Sequence, residues 1–255
     1  MRLIFLGTGG YHPNERRETA GVLLPELGLL FDAGTGSYRL AGRLERDDLT
    51  ILLSHAHLDH VCGLTYLLVP LHCGQIKSLR VLAAPEVLCT VRDHLFSQQL
   101  FPVLPRAEFV PLNGDSPISL GDSGSTKLAH TRLPSHPGGS RGFRLDWLDP
   151  TDKSAKSLAY ITDTTVDGSY TEFIRGVDVL IHECYFPDSQ RDWALKSGHS
   201  YTSQVAQLAS DSNVGRLLLT HIDPQRPDDD PINLDSARAI FPQASLAEDL
   251  LEIEI

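Results

Sequence analysis

Hydrophobic and polar residues alternate along this chain with two rhythms. Near the start, short apolar runs at 3–6, 21–24 and 29–32 are separated by Gly and Pro, the punctuation of strands joined by turns. Further on, strand and helix patterns interleave. The run 50–53 precedes a helical stretch at 61–68, and 79–83 precedes a helix opening at Pro85, where a missing amide hydrogen does no harm. Strand-like segments follow at 108–112, 127–133, 142–147 and 157–162, and buried strands are expected at 178–181, 216–220 and 252–255. Helical spacing recurs at 202–209 and 234–240. Strands apolar enough to need cover on both faces, with helices throughout, predict an α/β (α+β) protein on two central sheets flanked by helices. No repeat, low-complexity tract or long linker divides the sequence, so residues 1–255 are expected to form a single domain.

Composition sharpens that picture. A chain of 255 residues buries roughly 75% of its unfolded surface, enough to build a rigid internal site. The formal net charge of -11 and the 41% hydrophobic content suit a soluble protein and give no global attraction to phosphate backbones or anionic lipid. Cys62, Cys73, Cys89 and Cys184 contain no CxxC pair and read as core thiols in a reducing compartment. The first ten residues carry one positive charge and an apolar run of only 3–6, too short for a signal peptide or a membrane span. A cytoplasmic location, away from membranes, is expected.

The chemistry concentrates in Ser54-His55-Ala56-His57-Leu58-Asp59-His60, between a predicted strand and a predicted helix. His55 and His57 are two apart at a strand's end, so both imidazoles face the same side and can grip one metal. Asp59 and His60 fall where the chain turns into its helix, aimed to reach a second ion. Three nitrogens and a carboxylate suit zinc, and ligand type alone also admits manganese or iron. A two-metal site needs more donors, and His136, Asp163 and His221 each stand at or just past the end of an apolar strand, where the backbone is rigid. The glycines at 7, 9 and 10 read as a tight turn, since neither Gly-Lys-Ser/Thr nor GxGxxG spacing is present. Arg141 and Arg144 are read as a solvated strand face, with contact to a substrate phosphate as the alternative. His12, His72, His94 and His130 fall in no ligand pattern.

With these residues the sequence resembles the metallo-β-lactamase superfamily and, within it, the ribonuclease Z-like branch, over nearly its full length. The matching stretches are Gly7-Thr8-Gly9, Phe31-Asp32-Ala33-Gly34, the string His55 to His60, His136, Tyr160-Ile161-Thr162-Asp163-Thr164, Ile181-His182-Glu183, Gly198-His199-Ser200 and Leu219-Thr220-His221. The resemblance implies a four-layer αββα sandwich with two zinc ions at the edge between its sheets. His55, His57 and His136 would hold one zinc, Asp59, His60 and His221 the other, and Asp163 would bridge them. Water activated by the metals would attack phosphorus, with Asp59 also orienting that nucleophile or accepting its proton. His199 matches the branch's catalytic histidine that is not a ligand, here a general acid or phosphate contact, although Ser200 or Thr202 could instead make this turn a helix cap. Asp32 would accept a hydrogen bond from a ligand imidazole, while His182 and Glu183 lie near the site without an assigned role. The resemblance also admits a homodimer.

One departure bears on substrate. Ribonuclease Z carries a long, glycine-rich, basic arm between the third histidine and the bridging aspartate, and that arm grips transfer RNA. Here 163 − 136 = 27 residues separate the two, largely spent on strands 142–147 and 157–162. With the acidic balance, this weighs against nucleic acid as partner and favours a small or cyclic phosphodiester over transfer RNA 3′ processing. A thioesterase or lactonase could use the same metals, and a metal-bound sensor or binding module is the non-enzyme alternative. His57 stands where oxygen-reducing di-iron relatives have glutamate, which argues against that chemistry.

Overall fold

Apolar runs become strands largely where the pattern puts them. The structure is a computed structural model describing residues 1–114, 117–121 and 124–255. The chain forms two compact units, Met1–Gly114 with Glu248–Glu254, and Asp115–Ala247 with Ile255. The first holds β1 (Arg2–Gly7), β2 (Gly21–Leu24), β3 (Leu29–Phe31), β4 (Asp48–Leu52), β5 (Ser78–Ala83) and β6 (Glu108–Pro111). The second holds β7 (Ile118–Leu120), β8 (Thr126–Leu133), β9 (Ser140–Leu148), β10 (Ala155–Ile161), β11 (Val179–Glu183), β12 (Arg216–Thr220) and β13 (Ala244–Leu246). The last strand, β14 (Glu252–Glu254), returns to the first unit's sheet.

Among the described residues the sheets run β14-β1-β2-β3-β4-β5-β6 and β13-β12-β11-β10-β9-β8-β7. Each is mixed. In the first, β14 through β3 pair antiparallel and β3 through β6 parallel. In the second, β7 through β10 pair antiparallel and β10 through β13 parallel. Parallel neighbours need crossovers, and helices supply them. In the first unit these are a 3-10 helix (Thr35–Gly42) between β3 and β4, then α1 (Leu58–Val61), α2 (Leu68–His72) and α3 (Pro85–Thr90); in the second, α4 (Thr171–Ile174), α5 (Arg191–Ser197), α6 (Thr202–Asp211) and α7 (Leu234–Ile240).

Each unit has its own core. Leu23, Ile51 and Val81 pack with Val61, Leu64, Val87 and Val91 in the first; Ile161, Leu180, Leu217 and Leu219 pack with Val205, Ala206, Ala209 and Ala237 in the second. Burying one such Val, Leu or Ile contributes about 1.5–3 kcal/mol. On α6, Val205, Ala206 and Ala209 fall at the three- and four-residue spacing of one helical face, which holds the helix on the core although six of its ten positions are polar. No helix among the described residues is long and apolar enough to cross a membrane.

The fold positions the donors through its parallel strands, whose carboxyl ends share one edge of each sheet. β3 and β4 deliver Asp32 and the histidine string; β10, β11 and β12 deliver Asp163, Glu183 and His221. The helix expected at 61–68 starts earlier, at Leu58, and passes through a tight turn at Cys62–Leu67 before α2. His57 is extended, with φ −66° and ψ 149°, so the helix begins inside the string itself.

Candidate metal centre

In the first unit, four donor residues sit on one turn braced from beneath. Asp32, fully buried, accepts hydrogen bonds from the Ser54 amide (2.7 Å), the Ser54 hydroxyl (2.8 Å) and His60 Nδ1 (2.8 Å). The carboxylate makes His60 Nδ1 the protonated nitrogen and leaves Nε2 its lone pair. Because the Ser54 hydroxyl gives its hydrogen to Asp32, its oxygen accepts from His55 Nδ1 at 3.0 Å, and His55 takes the same tautomer. The His55 ring lies 4.5 Å from that of His57 and 4.3 Å from that of His60. Asp59 Oδ2 stands 3.2 Å from His60 Nε2 and accepts the Tyr11 amide at 2.8 Å.

Two glycines permit this brace. A Cβ on Gly34 would come within 2.2 Å of the Asp59 carbonyl oxygen, and one on Gly63 within 2.3 Å of the Gly34 carbonyl oxygen. Backbones that close leave no room for a side chain. The same contact carries hydrogen bonds from Ala33 N to His60 O (2.7 Å) and from Gly63 N to Ala33 O (2.8 Å).

In the second unit the donors come from separate segments. His136 lies in the turn between β8 and β9, Asp163 two residues past β10, and His221 directly after β12. Asp163 turns its two oxygens to two imidazoles: Oδ1 is 3.2 Å from His221 Nε2 and Oδ2 is 3.5 Å from His136 Nε2. The Thr162 hydroxyl donates to Oδ1 at 2.7 Å. Asp32, Asp163 and His221 all take left-handed backbone angles, with φ of 54°, 50° and 57°. Such strain in non-glycine residues persists where surrounding contacts over-determine it.

His199 adjoins this group. Its ring is 4.8 Å from that of His136, and it stacks on Tyr185 (4.6 Å, 21°) and His221 (5.6 Å, 27°). Its Nδ1 donates to Glu183 Oε1 at 3.0 Å, so Nε2 is the nitrogen left for chemistry. Glu183, fully buried, also accepts the Thr164 amide (2.6 Å) and the Ser200 amide (3.1 Å). Burial pushes its carboxyl up, but the charge and hydrogen bond of His199 outweigh that and hold it below the usual carboxylate range. Gly198, with φ 81°, closes α5; a Cβ there would meet the Ser135 carbonyl oxygen at 2.7 Å and His136 Cα at 2.9 Å. The Gly-His-Ser turn is thus pressed against the backbone of His136.

The donor spacing fits divalent cations. Two ligand atoms each about 2.0–2.1 Å from one tetrahedral zinc lie about 3.3 Å apart. The carboxylate-to-imidazole separations within each unit, 3.2 Å for Asp59–His60 and 3.2 and 3.5 Å about Asp163, match that value. Every imidazole whose tautomer is fixed from behind presents Nε2.

Sequence reading missed Glu183 as the partner of His199 and Tyr185 as its stacking wall. The only signal was the His-Glu pair ending β11. His182 of that pair is structural: it accepts from the Tyr170 hydroxyl (2.8 Å) and donates Nδ1 to the Glu183 carbonyl (2.7 Å), and burial pushes its imidazole below the ordinary value. Two expectations need correction. Arg141 is buried and donates to His130 Nδ1 at 2.6 Å, because Arg141 and His130 project from neighbouring strands into the same interior. Arg144 is tied to Asp146 and to the Phe173 and Arg175 carbonyls. Nor do Ser200 and Thr202 cap α6; their hydroxyls donate to the Thr164 and Ile232 carbonyls instead.

Comparison with known proteins places this geometry in context. A family profile described as "Beta-lactamase superfamily domain" matches residues 29–222. A protein named Ribonuclease Z from Methanosarcina mazei is 27% identical over 300 aligned positions, covering 100% of this chain and 98% of its own length. Among solved structures, the metallo-β-lactamase fold protein YhfI from Bacillus subtilis superposes with a TM-score of 0.80 at 21% identity, covering 99% of each chain. A diphosphatase described as of the PhnP family gives 0.70 at 20% identity, covering 100% of this chain and 98% of that one. The α/β fold class expected from the sequence is the fold these two share.

Proposed function

The chain belongs to the β-lactamase superfamily, in its ribonuclease Z-like branch, and from that premise we propose that it is a dinuclear metal-dependent hydrolase of small or cyclic phosphodiesters. His55, His57 and His136 would hold one zinc and Asp59, His60 and His221 the other, and Asp163 would serve both. When bound, such cations would supply Lewis acidity toward phosphoryl oxygens and would lower the pKa of water to about 7.

The residues do the rest. His199 gives the proton on Nε2 to the departing alkoxide. Glu183, bonded to Nδ1, fixes the ring's orientation and leaves Nε2 toward the substrate, and Tyr185 keeps the ring flat beside His221. Asp59 orients the attacking oxygen or takes its proton. The free thiols of all four cysteines suit a cytoplasmic setting.

One observation carries the substrate class. Between His136 and Asp163 the chain is spent on β9, β10 and their connecting turn, leaving no segment to grip a folded RNA. The 300 aligned positions against the Methanosarcina protein exceed the 255 residues of this chain, so at least 45 positions of that relative have no counterpart here. Transfer RNA 3′ processing is the second reading, favoured by a relative named Ribonuclease Z that is matched along nearly its whole length.

The zinc-loaded protein should be screened against a linear diester, a 2′,3′-cyclic nucleotide, a cyclic ribose phosphate, a thioester, a lactone and precursor transfer RNA. Turnover of a diester or cyclic phosphate is expected. Selective cleavage of the precursor would establish the second reading instead, and hydrolysis confined to the thioester or lactone would remove both.

A further inference from the structure

A single carboxylate near the chain's end clamps the loop that touches a metal donor, and all the parts lie in the first unit. Asp249 Oδ1 accepts the Thr8 amide (3.0 Å) and the Thr8 hydroxyl (2.7 Å); its Oδ2 accepts the Glu18 amide (2.8 Å) and Arg39 Nη1 (2.5 Å). Both ends of loop 8–19 are therefore tied to one side chain only 7% exposed. Arg17, buried, adds a bond from Nη1 to the Thr8 hydroxyl at 2.6 Å.

Within the loop nothing is slack. Gly9 N donates to Glu18 O (2.8 Å), Asn14 N to Arg17 O (2.9 Å), and Asn14 Oδ1 accepts the amides of Arg16 and Arg17. Thr19 and Thr35 exchange reciprocal amide-to-hydroxyl bonds of 2.8 Å. At the tip, Tyr11 is held at φ 61° although its side chain is 69% exposed and packs into no core. That left-handed backbone turns the Tyr11 amide onto Asp59 Oδ2.

We propose that Asp249 is a positioning residue for Asp59: by clamping both ends of loop 8–19 it keeps the Tyr11 amide on the Asp59 carboxylate, and so sets the affinity of the cation held by Asp59 and His60. The proposal rests on the dinuclear reading above. Partners behind a metal ligand change metal affinity by about 10–100-fold.

The test is calorimetric and spectroscopic titration of the metal-free full chain with Co2+ alone. His60→Ala identifies which binding event belongs to the Asp59–His60 pair. Two variants follow: Asp249→Asn, and full-length protein carrying the α-hydroxy analogue of tyrosine at position 11, which replaces only the amide N–H by an ester oxygen and leaves the Asp249 clamp intact. Both should weaken that one event at least tenfold, shift its cobalt absorption, and leave the other event within twofold. Unchanged events in the ester variant overturn the proposal, whether or not Asp249→Asn folds. So does an unchanged folded Asp249→Asn, or an equal loss at both events. If the wild-type chain binds fewer than two ions, the dinuclear reading itself falls and takes this inference with it.

Discussion

The two units supply donors in opposite ways. In the first, His55, His57, Asp59 and His60 occupy six consecutive positions on one turn, braced by Asp32 from a neighbouring strand. In the second, His136, Asp163 and His221 span 221 − 136 = 85 positions and converge because β8, β10 and β12 end at one edge of a sheet. A contiguous turn brings its donors together through local geometry. A scattered set depends on the register of whole strands, and each member has a job no neighbour can share.

The largest expected effect tests that contrast. Asp163→Ala removes a carboxylate whose two oxygens face two imidazoles and should lower kcat/KM by about 10⁴-fold, the scale on which one member of a catalytic set acts, with metal analysis showing less than the full complement. His57→Ala, exposed and on the shared turn, should cost about 10²-fold. Equal losses would break the comparison. Next, His199→Ala should retain both cations and lose about 10²–10⁴-fold in turnover on alkyl diesters. With a p-nitrophenolate leaving group, which needs no proton, the loss should shrink; a loss independent of leaving group would remove the general-acid role.

The residues behind the donors should separate by readout. Asp32→Ala should weaken metal binding by about 10–100-fold, while Glu183→Gln should spare metal binding and lower turnover. Glu183 also carries a pH signature. Its folded carboxyl is held below the ordinary value, so its stabilisation is complete above the unfolded pKa of about 4.3 and is lost as pH falls through the lower folded value. Urea unfolding should accordingly show the Gln variant less stable at pH 7, with the gap closing on acidification. A gap that widens in acid would reverse the assignment.

The smallest effect is chemical. Cys73 and Cys89, expected in the core, are exposed instead, Cys73 because it caps the end of α2 and Cys89 because it lies off the buried face of α3, whereas burial raises the thiol of Cys184 far above its ordinary value. Iodoacetamide at pH 8 should label the first two readily and Cys184 only after unfolding. Early labelling of Cys184 would mean that the second unit opens more easily than its packing implies.

Legibility followed the same division. The histidine string announced itself because its chemistry is written in adjacent letters. His136, Asp163 and His221 could be picked out singly only as donors at strand ends, and their joint assignment came from family likeness. Glu183 stayed hidden because its partner is sixteen positions away, joined to it by a turn that only Gly198 allows. Among the elements, the bounds of β12 and α7 follow from apolar spacing alone, whereas β7 and β13 are three-residue strands interrupted by a serine and lack the continuous apolar run that reveals the equally short β3. The buried pair Arg141–His130 was misread because a charged residue in a strand looks solvated until its cross-strand neighbour is known.

One pairing has an implication for how the protein is made. β1 is synthesised well before its outer neighbour β14, since the paired Arg2 and Glu254 lie 254 − 2 = 252 positions apart along the chain. Until β14 has been made, Leu3 and Ile4 present an open hydrogen-bonding margin to other nascent chains. Shielding by a chaperone would matter most during that interval, and a ribosome stalled just short of residue 249 would hold a first unit lacking both its closing strand and the carboxylate that fastens its loop.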